Sequence, residues 1–346
     1  MKFYTKTHPY YCGVDLHTKT LYLCVIDQEG SILMHKNIPA KPDAFLKAIK
    51  PYHPNVVIGV ECMFSWYWLA NLCLEHRITF ILGHALYMKA IHGGKAKSDK
   101  IDSEKIARLI KGGTFPLAYT YPPELRPVRD LMRRRRNLVR FRSELLAHIK
   151  ITHHQYNADI FEKNINKKGN RQHVIELFTD PATKKNIQID LELADHLHDE
   201  IVKLENYIVR HAKQFDARTY YRLQTVPGIG QVLALTLMYE IGDIDRFDRV
   251  QSFCSYARLV KCAKESAGKL YGYGGGKIGN AHLKWAFSEA TCMLMRESQR
   301  AKDYVAKLEK KHGKSKAMLI LAHKLGRAVY FVLKRKDAFD LNYFFR

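Results

Sequence analysis

Four acidic residues in the first third of the chain have the types and the placement to hold divalent cations. Asp15 and Glu61 fall in two predicted strands, and Asp99 and Asp102 lie three residues apart at the start of a predicted helix. Four carboxylates that lie side by side cannot all ionise without cations. Two Mg²⁺ ions about 3.5–4 Å apart would satisfy them and would serve phosphodiester chemistry.

Asp99 and Asp102 are predicted to turn their carboxylates toward the protein. The apolar residues Ile106, Leu109 and Ile110 form one stripe of the helix, and both acids continue this stripe toward the N-terminus. The simpler alternative is that each acid only stabilises the start of the helix, where a carboxylate accepts backbone N–H bonds. A carboxylate that points inward needs a partner, however, and a cation is the obvious one.

The predicted elements that carry these acids follow one order. Three strands joined by turns come first, and Asp15 lies in the first of them. After a short helix, "NVVIGVE" forms a continuous apolar strand that is typical of a buried central position and ends in Glu61. A helix, the strand "RITFILG" and the Asp99 helix complete the order β-β-β-α-β-α-β-α. This is the order of the ribonuclease-H-like fold, so an α/β N-terminal domain of that class is predicted.

The strand order of this fold predicts where the acids meet. Its first and fourth strands are neighbours, so Asp15 and Glu61 are expected to lie together. Open α/β sheets place ligand-binding groups at the carboxyl ends of strands, which is where Glu61 falls. Alternatives exist for both residues, since Asp15 could close a hairpin and Glu61 could cap the next helix. The placement of all four acids favours a metal site made of Asp15, Glu61, Asp99 and Asp102.

The charge balance of the chain indicates a polyanionic partner. The 346 residues include 57 Lys+Arg against 34 Asp+Glu, a formal net charge of +23, and nucleic acid is the usual partner of such a chain. The length predicts two or three domains. A membrane surface is the competing partner, but no apolar run approaches the ~20 residues that span a bilayer, and no secretory signal is predicted. The seven cysteines show no zinc-like spacing, so they are predicted to be reduced core thiols of a cytoplasmic protein.

A long basic helix is predicted in the middle of the chain, from "DLMRRRRNLVRFR" onward. Leucines recur along it with heptad spacing, and six arginines surround that seam: Arg133, Arg134, Arg135, Arg136, Arg140 and Arg142. Phosphate contact is the favoured interpretation of these arginines, and a solvated charged face is the alternative. A second heptad seam, from Ala194 to Ile208, predicts pairing either with the first helix in one chain or between chains.

The segment "TVPGIGQVLALTLMYEIG" is predicted to be a glycine loop that opens an apolar helix. Gly228 and Gly230 would let backbone N–H groups approach a phosphate at the helix N-terminus. This arrangement is similar to a helix-hairpin-helix, which binds the DNA backbone without sequence preference. A plain tight turn is the alternative, and the residues favour neither.

A second glycine-rich segment, residues 261–287, is predicted to contain a flexible, basic loop suited to phosphate. Ser266 lies between Lys264 and Lys269, and Lys277 follows farther along. The glycines of this segment match G-x-G-x-x-G in form, but they do not follow a buried strand, so a dinucleotide site is not predicted. A lone serine in a loop is usually a polar surface residue, and the residues alone do not raise Ser266 above that.

In their order along the chain, these motifs resemble the insertion-sequence-110 family of transposases, whose relatives include pilin-gene-inverting recombinases. The resemblance rests on "GVDLHTK", "VECMFSW", "KSDKID", "VPGIG", and "ESAG" with "KIGNAHLK", and it covers nearly the whole length. One departure is Cys-Met-Phe after Glu61, where the family tends to have small residues. The resemblance implies a RuvC-like domain with the D-E-D-D acid set Asp15, Glu61, Asp99 and Asp102, and a C-terminal domain with Ser266 as nucleophile.

The resemblance also implies a division of the chain and a mechanism. Residues 1–125 would form the RuvC-like metal domain, 126–215 a basic helical coiled-coil region, and 216–346 a mostly α C-terminal transposase domain with a helix-hairpin-helix-like motif. Mg²⁺, or Mn²⁺ in its place, would polarise the scissile phosphate, and Ser266 would form a phosphoserine bond that a DNA hydroxyl later resolves. The implied partners are donor and target DNA, a structured non-coding bridge RNA that pairs with both, and further copies of the chain in a dimer to tetramer.

Two rival functions stay open at this point. A RuvC-like nuclease would hydrolyse DNA with a metal-bound water and would leave Ser266 structural, so it would give free 5′-phosphate ends and no covalent adduct. A non-catalytic nucleic-acid-binding protein would bind without metal-dependent strand transfer, and the intact acid set argues against it.

Overall fold

The computed structural model describes residues 2–91, 98–158, 164–171, 173–274, 276 and 278–346. The chain forms two units, Met1–Pro123 and Glu124–Arg346. The first is a mixed α/β unit and the second is mostly helical. Among the described residues, every helix is too short or too polar to cross a membrane.

The first unit contains the strands and helices that the sequence predicts. Its elements are β1 (Phe3–Tyr4), β2 (Tyr10–Leu16), β3 (Thr20–Ile26), β4 (Ile32–Pro39), α1 (Pro42–Ile49), β5 (Val56–Glu61), α2 (Tyr67–Glu75), β6 (Thr79–Gly83), α3 (Ala85–Ile91), α4 (Asp99–Lys111) and β7 (Phe115–Pro116). From β2 to α4 the order matches the prediction, with the short helix α3 added before α4.

Five of these strands form one sheet in the order β4-β3-β2-β5-β6. The strands β2, β3 and β4 are antiparallel neighbours, whereas β5 runs parallel to both β2 and β6. The first and fourth strands of the sheet, β2 and β5, are therefore adjacent, as the sequence predicted. This topology is consistent with a ribonuclease-H-like fold.

Apolar helices cover both faces of the sheet. Phe45 of α1 and Leu69 of α2 are fully buried on one face, and Ile106 and Ile110 of α4 are buried on the other. The central strand β5 is buried on both sides, which explains why its sequence is a continuous apolar run rather than an alternating one.

Two glycines let α4 lie directly on β2 and β5. A Cβ atom on Gly13 would lie 2.0 Å from the carbonyl oxygen of Ser103, and a Cβ on Gly59 would lie 2.3 Å from Cδ1 of Ile110. Larger residues at these positions would push the helix away from the sheet. The close approach brings the start of α4 to the two strands that carry Asp15 and Glu61.

The second unit is built from helices and one hairpin. Its elements are α5 (Arg126–Gln155), α6 (Pro181–Gln224), α7 (Gln231–Ile241), α8 (Val250–Tyr256), β8 (Cys262–Ser266), β9 (Lys269–Gly274), α9 (Ala281–Glu297), α10 (Gln299–His312), α11 (Lys314–Arg335) and α12 (Leu341–Phe344). The long helix α6 is kinked at Asp216, whose φ of −156° and ψ of 79° are not helical, and Asp216 Oδ1 accepts a hydrogen bond from the Thr219 N–H at 2.9 Å.

The helices α5 and α6 pack against each other in antiparallel directions. Met132 near the start of α5 shares a hydrophobic cluster with Ile208 of α6, and Ile149 near the end of α5 shares another with Ile187. Ala194 and Ile208 of the heptad seam are fully buried. Of the two pairings that the sequence allowed, the one within a single chain is therefore present.

The structure contains a β-hairpin around Ser266, where the sequence predicted a flexible loop. Strands β8 and β9 pair antiparallel, with Ser266 opposite Lys269. The two turn residues, Ala267 and Gly268, have φ of 48° and 73°, as two-residue hairpin turns require. All five residues of β8 are exposed, so the strand lacks the alternation of apolar and polar residues from which strands are predicted.

Candidate active site

Asp15 and Glu61 lie beside each other on the face of the sheet that α4 covers. Val14 pairs with Val60 in the parallel ladder of β2 and β5, so Asp15 and Glu61 are the next residues on each strand. Each acid follows by two residues a glycine that α4 contacts, and residues two apart share one face of a strand. Both residues are half-buried.

Asp99 and Asp102 occupy the first turn of α4, and neither is its N-cap. Ser98 Oγ accepts a hydrogen bond from the Ile101 N–H at 3.3 Å and caps the helix. The capping role that the sequence left as an alternative for the two acids is thus filled by Ser98. Their carboxylates make other contacts: Asp102 Oδ1 lies 3.8 Å from Lys105 Nζ, and Asp99 Oδ1 lies 3.4 Å from His17 Nε2.

The two acids differ in their burial. Asp102 is half-buried, as the helical stripe predicts, whereas the Asp99 side chain is 51% exposed. Asp99 is thus less buried than the helical stripe predicts, although its carboxylate faces His17 and Asp15. The buried residues of α4 begin only at Ser103, so Asp99 extends past the stretch of helix that packs on the sheet.

The imidazole of His17 lies between two of these carboxylates, and the sequence reasoning missed it. His17 Nε2 is 3.5 Å from Asp15 Oδ2 and 3.4 Å from Asp99 Oδ1. One ligand atom from each of the three residues lies within 4.8 Å of the other two, so the group could hold a metal ion. The available signal was the position of His17 two residues after Asp15, which is the spacing of side chains on one side of a strand.

The electrostatics of Asp15 favour a bound cation. Burial raises the pKa of the Asp15 carboxyl above its usual value, the charge of His17 opposes this rise, and Asp99 and Asp102 add to it. Carboxylates from α4 thus repel the strand carboxylate, and a divalent cation would relieve that repulsion. Carboxylate oxygens are the ligands that Mg²⁺ and Mn²⁺ prefer, so the acid set fits such an ion.

Ser266 lies in the second unit, where β8 ends and the hairpin turn begins. Ser266, Lys264 and Lys269 are all exposed. Within the part of the chain that the structure describes, the Ser266 hydroxyl has no hydrogen-bond partner, and a serine needs a base or a metal ion to become a nucleophile at neutral pH. Lys277, the third lysine of the predicted phosphate-binding set, lies outside the described residues.

The two glycines of the loop between α6 and α7 have different surroundings. Gly228 is buried with a φ of 83°, and a Cβ atom on it would lie 2.4 Å from the carbonyl oxygen of Ala290. Its N–H donates to Glu297 Oε2 at 3.2 Å. Gly230 is exposed with open space around it and forms the N-cap of α7. Packing against α9 therefore explains Gly228, while Gly230 leaves the start of α7 accessible.

Two of the predicted phosphate-binding arginines of α5 instead pair with α6. Arg135 Nε donates to Glu205 Oε1 at 2.7 Å, and Arg142 Nη1 lies 3.0 Å from His198 Nδ1. Burial, which comes first among the causes, and the neighbouring positive charges lower the pKa of Arg142. These guanidinium groups hold the helix pair together.

Arg134 and Arg140 are the two exposed arginines of the set. Arg140 Nε is 3.4 Å from Glu144 Oε1, with both side chains more than 60% exposed, and such surface pairs are weak. Arg134 has no ion pair among the described residues. Both side chains can therefore reach a phosphate without breaking a buried contact.

Arg133 belongs to a buried ion network that the sequence reasoning missed. Glu240 of α7 is 1% exposed and accepts hydrogen bonds from Arg133 Nε at 2.7 Å, Arg129 Nε at 3.1 Å and Asn280 Nδ2 at 2.7 Å. Burial alone would raise the pKa of Glu240, but the hydrogen bonds and the two arginine charges lower it to about 2. The Asn280 side chain also caps α9, so Glu240 joins α5, α7 and α9.

Arg136 also contacts α9. Its Nη1 is 3.2 Å from His282 Nδ1, and its guanidinium lies 5.2 Å from the centre of the Trp285 ring. Burial, together with the charges of Arg133 and Arg136, lowers the pKa of His282 to about 4, although Glu240 opposes the shift. A neutral His282 can therefore accept a hydrogen bond from Arg136 near neutral pH.

Two protein-family models match the chain. A model of the DEDD type, described as "Transposase", matches residues 12–158, which include the four acids. A second model, "Transposase IS116/IS110/IS902 family", matches residues 220–306, which include the glycine loop and Ser266.

Curated relatives match over most of the length of the chain. The transposase for insertion sequence element IS1111A of Coxiella burnetii is 20% identical over 341 residues, which cover 94% of this chain and 90% of the relative. The transposase for insertion sequence element IS1328 of Yersinia enterocolitica is 23% identical, with 95% and 98% covered. The pilin gene-inverting protein of Moraxella bovis is 25% identical, with 80% and 79% covered.

Proposed function

We propose that the chain is a transposase of the IS110 family that cleaves and rejoins DNA, and that its four acids and Ser266 carry out that reaction. The observation that supports this most directly is the group formed by Asp15, His17 and Asp99 at the carboxyl edge of the sheet. Glu61 on the neighbouring strand and Asp102 one turn along α4 flank this group.

In this proposal the acids bind divalent cations and hold the phosphodiester in place. Asp15 and Asp99 offer oxygens to one Mg²⁺ or Mn²⁺ ion, and Glu61 and Asp102 extend the set toward a second. Bound there, such an ion would withdraw electron density from the scissile phosphate and stabilise the charge that develops on its oxygens. His17 Nε2 lies beside both carboxylates and would be a third ligand of that ion.

Ser266 is the proposed nucleophile. Its Oγ forms a bond to phosphorus while the bond between phosphorus and the oxygen of the departing DNA strand breaks, and the hydroxyl proton is released. The product is a phosphoserine ester. A DNA hydroxyl then attacks the same phosphorus, displaces Ser266 and rejoins the strand, so no external energy source is needed. The exposed lysines Lys264 and Lys269 support this role because they flank the hydroxyl with positive charge.

The proposed partners are donor and target DNA, a structured guide RNA and further copies of the chain. The formal net charge of +23 and the exposed arginines Arg134 and Arg140 support nucleic-acid binding. We further propose the functional division into a metal domain over residues 1–125, a basic helical region over 126–215 and a transposase domain over 216–346. Sequencing of RNA that co-purifies with the protein would test whether the protein binds a guide RNA.

The acid set is tested by isosteric substitution. Asp15→Asn, Glu61→Gln and Asp99→Asn are expected to lower strand cleavage and rejoining by on the order of 100-fold or more, because each removes a charge that holds the cation. Asp43→Asn, which changes an exposed acid in the first turn of α1, is the matched control and should retain full activity. Cleavage at the wild-type rate by Asp15→Asn or Asp99→Asn would contradict the proposal that these acids form a catalytic metal site.

The rival function is hydrolysis of DNA by the acid site alone. The Ser266 hydroxyl has no hydrogen-bond partner among the described residues, which favours this rival. A hydrolytic nuclease would release free 5′-phosphate ends, would not rejoin strands, and would be fully active as the Ser266→Ala variant.

A further inference from the structure

The loop after Glu61 projects two large apolar side chains next to the acid site. The Phe64 side chain is 79% exposed and Met63 is 48% exposed. In the part of the chain described, no other ring packs on the Phe64 ring. A single exposed apolar residue is common on protein surfaces, so the inference rests on how this loop is held and on what lies beside it.

Hydrogen bonds and burial fix both ends of the projecting loop. The Cys62 N–H donates to the Gly83 carbonyl oxygen at 2.9 Å, and Ser65 Oγ donates to the Leu16 carbonyl oxygen at 3.2 Å. Trp66, which follows, is 5% exposed. Residues 62–64 are therefore the part of this loop that projects into solvent. Because Leu16 directly follows Asp15, the loop is tied to both strands that carry acids.

The length of the loop limits where the Phe64 ring can act. Three residues extend the chain by at most about 11 Å, at about 3.3–3.6 Å per residue, so Phe64 lies close to Glu61. Successive nucleotides of a DNA strand are about 3.4 Å apart along the helix axis. A phosphate bound at the acids thus brings the bases of about three nucleotides on either side within reach of this ring.

We propose that Phe64 stacks on a base of the DNA strand next to the scissile phosphate, with Met63 packed beside it, and so opens that base step. Apolar side chains that enter a base step unstack it and bend the backbone, which would present the phosphate to the acids. The inference rests on the acid site proposed above.

The surroundings of Phe64 favour a DNA base over other occupants. A stable protein–protein contact buries about 1,200–2,000 Å², and the projecting tip offers only two side chains. An RNA base is disfavoured because the phosphodiester that the enzyme cuts belongs to DNA. A single base is the partner that matches one exposed ring at this position.

Variants of Phe64 and a fluorescent base test the inference. The DNA duplex carries 2-aminopurine at one position at a time within three nucleotides of the cut, and the protein is purified with the RNA that it binds. Wild type and Phe64→Tyr should raise 2-aminopurine fluorescence at one position, and Phe64→Ala should not. Phe64→Ala should cleave about tenfold more slowly or worse, Phe64→Tyr should restore cleavage, and Leu74→Ala should have no effect, since Leu74 is a 66% exposed residue of α2.

The outcomes separate this inference from the acid site. Wild-type cleavage and fluorescence with Phe64→Ala would overturn the stacking role and leave the acid site standing, provided Asp15→Asn is inactive. If Phe64→Ala instead releases the RNA or changes the mass of the oligomer while the fluorescence response persists, Phe64 contacts RNA or protein and the inference is wrong. Activity of Asp15→Asn would remove the acid site whatever Phe64 does.

Discussion

Glu240 shows how a single residue organises the second unit. Its carboxylate is almost fully buried and is neutralised by Arg129 and Arg133 of α5, while Asn280 adds a hydrogen bond from the start of α9. A buried carboxylate with this many donors stays ionised, and its loss would leave two cations facing each other. Arg133 therefore takes part in the buried ion network of the second unit.

Replacing the buried charge should destabilise the protein. Glu240→Gln keeps the shape of the side chain but removes the negative charge that lies between Arg129 and Arg133, so we expect a loss of about 3 kcal/mol or more in the free energy of unfolding, measured in urea. Glu200→Gln is the matched control, because Glu200 pairs with Lys203 on the surface of α6, and it should change stability by less than about 0.5 kcal/mol. Equal effects of the two changes would contradict the role assigned to Glu240.

The same residue predicts a pH dependence with a defined sign. Because the pKa of Glu240 falls from 4.5 to about 2 on folding, the stability that its ionisation provides is complete above pH 4.5 and is lost as the pH falls toward 2. The difference in unfolding free energy between wild type and Glu240→Gln should therefore shrink over this interval. A difference that stays constant with pH would show that the Glu240 charge does not stabilise the fold.

Residue positions were predictable from the sequence where local periodicity decides them. Asp15 and Glu61 could be placed together because strand alternation and strand order fix both. Glu240 could not be found, because its partner Arg133 is 107 residues away in the sequence and no local pattern joins α5 to α7. The exposure of Asp99 could not be predicted for a related reason: a helical stripe does not tell where the packed stretch of a helix begins.

At the scale of elements, the two glycines of the loop between α6 and α7 differ in their surroundings. One packs against α9, and the other leaves the N-terminus of α7 accessible. A Cβ atom on Gly228 would clash with the backbone of α9, and Gly228 has a positive φ, whereas a Cβ atom on Gly230 would meet nothing within 4 Å. The helix-hairpin-helix hypothesis assigned both glycines to a phosphate. The geometry makes Gly228 a packing residue and leaves only Gly230 at an accessible helix N-terminus.

Alanine substitutions at the two glycines should give opposite results. Gly228→Ala should lower the free energy of unfolding by about 2 kcal/mol or more, because it combines an unfavourable φ with a backbone clash. Gly230→Ala should change stability by less than about 1 kcal/mol, since its space is open. Urea unfolding of both variants provides the measurement. A stable Gly228→Ala protein that binds DNA more weakly would support the phosphate-contact interpretation instead.

Elements were predictable in proportion to how much apolar surface they bury. The sheet strands and α4 follow apolar patterns, and each was expected from the sequence. The β8–β9 hairpin was expected to be a loop because all of β8 faces solvent. The pattern of its side chains does not predict the backbone pairing that forms the hairpin.

At the scale of the whole molecule, the positively charged side chains are not all equally available to a nucleic acid. Of the six arginines predicted to contact phosphates, Arg133, Arg135, Arg136 and Arg142 have partners inside the second unit. Composition could predict a polyanionic partner for the chain, but it could not predict which charges the fold would use. The exposed pair Arg134 and Arg140 is the part of this set that a nucleic acid can reach.

Salt dependence of binding should distinguish the two classes of arginine. Replacing Arg134 and Arg140 together with glutamine should reduce the slope of log affinity against log salt by about 1.4–1.8, at about 0.7–0.9 per lost phosphate contact. Arg135→Gln, which breaks the pair with Glu205, should leave the slope unchanged and lower stability. The assay is nucleic-acid binding over a range of salt concentrations. Equal slopes for wild type and the double variant would show that Arg134 and Arg140 are merely solvated.

The central claim is that Ser266 bonds covalently to DNA in a reaction that needs the acid set. The most direct measurement incubates the protein with labelled DNA, its RNA and Mg²⁺, denatures the mixture and maps any adduct to a residue. The account predicts an adduct on Ser266 in the wild type, none in Ser266→Ala and none in Asp15→Asn. Active wild-type protein with no adduct, or with an adduct on another residue, would contradict it and would favour the hydrolytic nuclease.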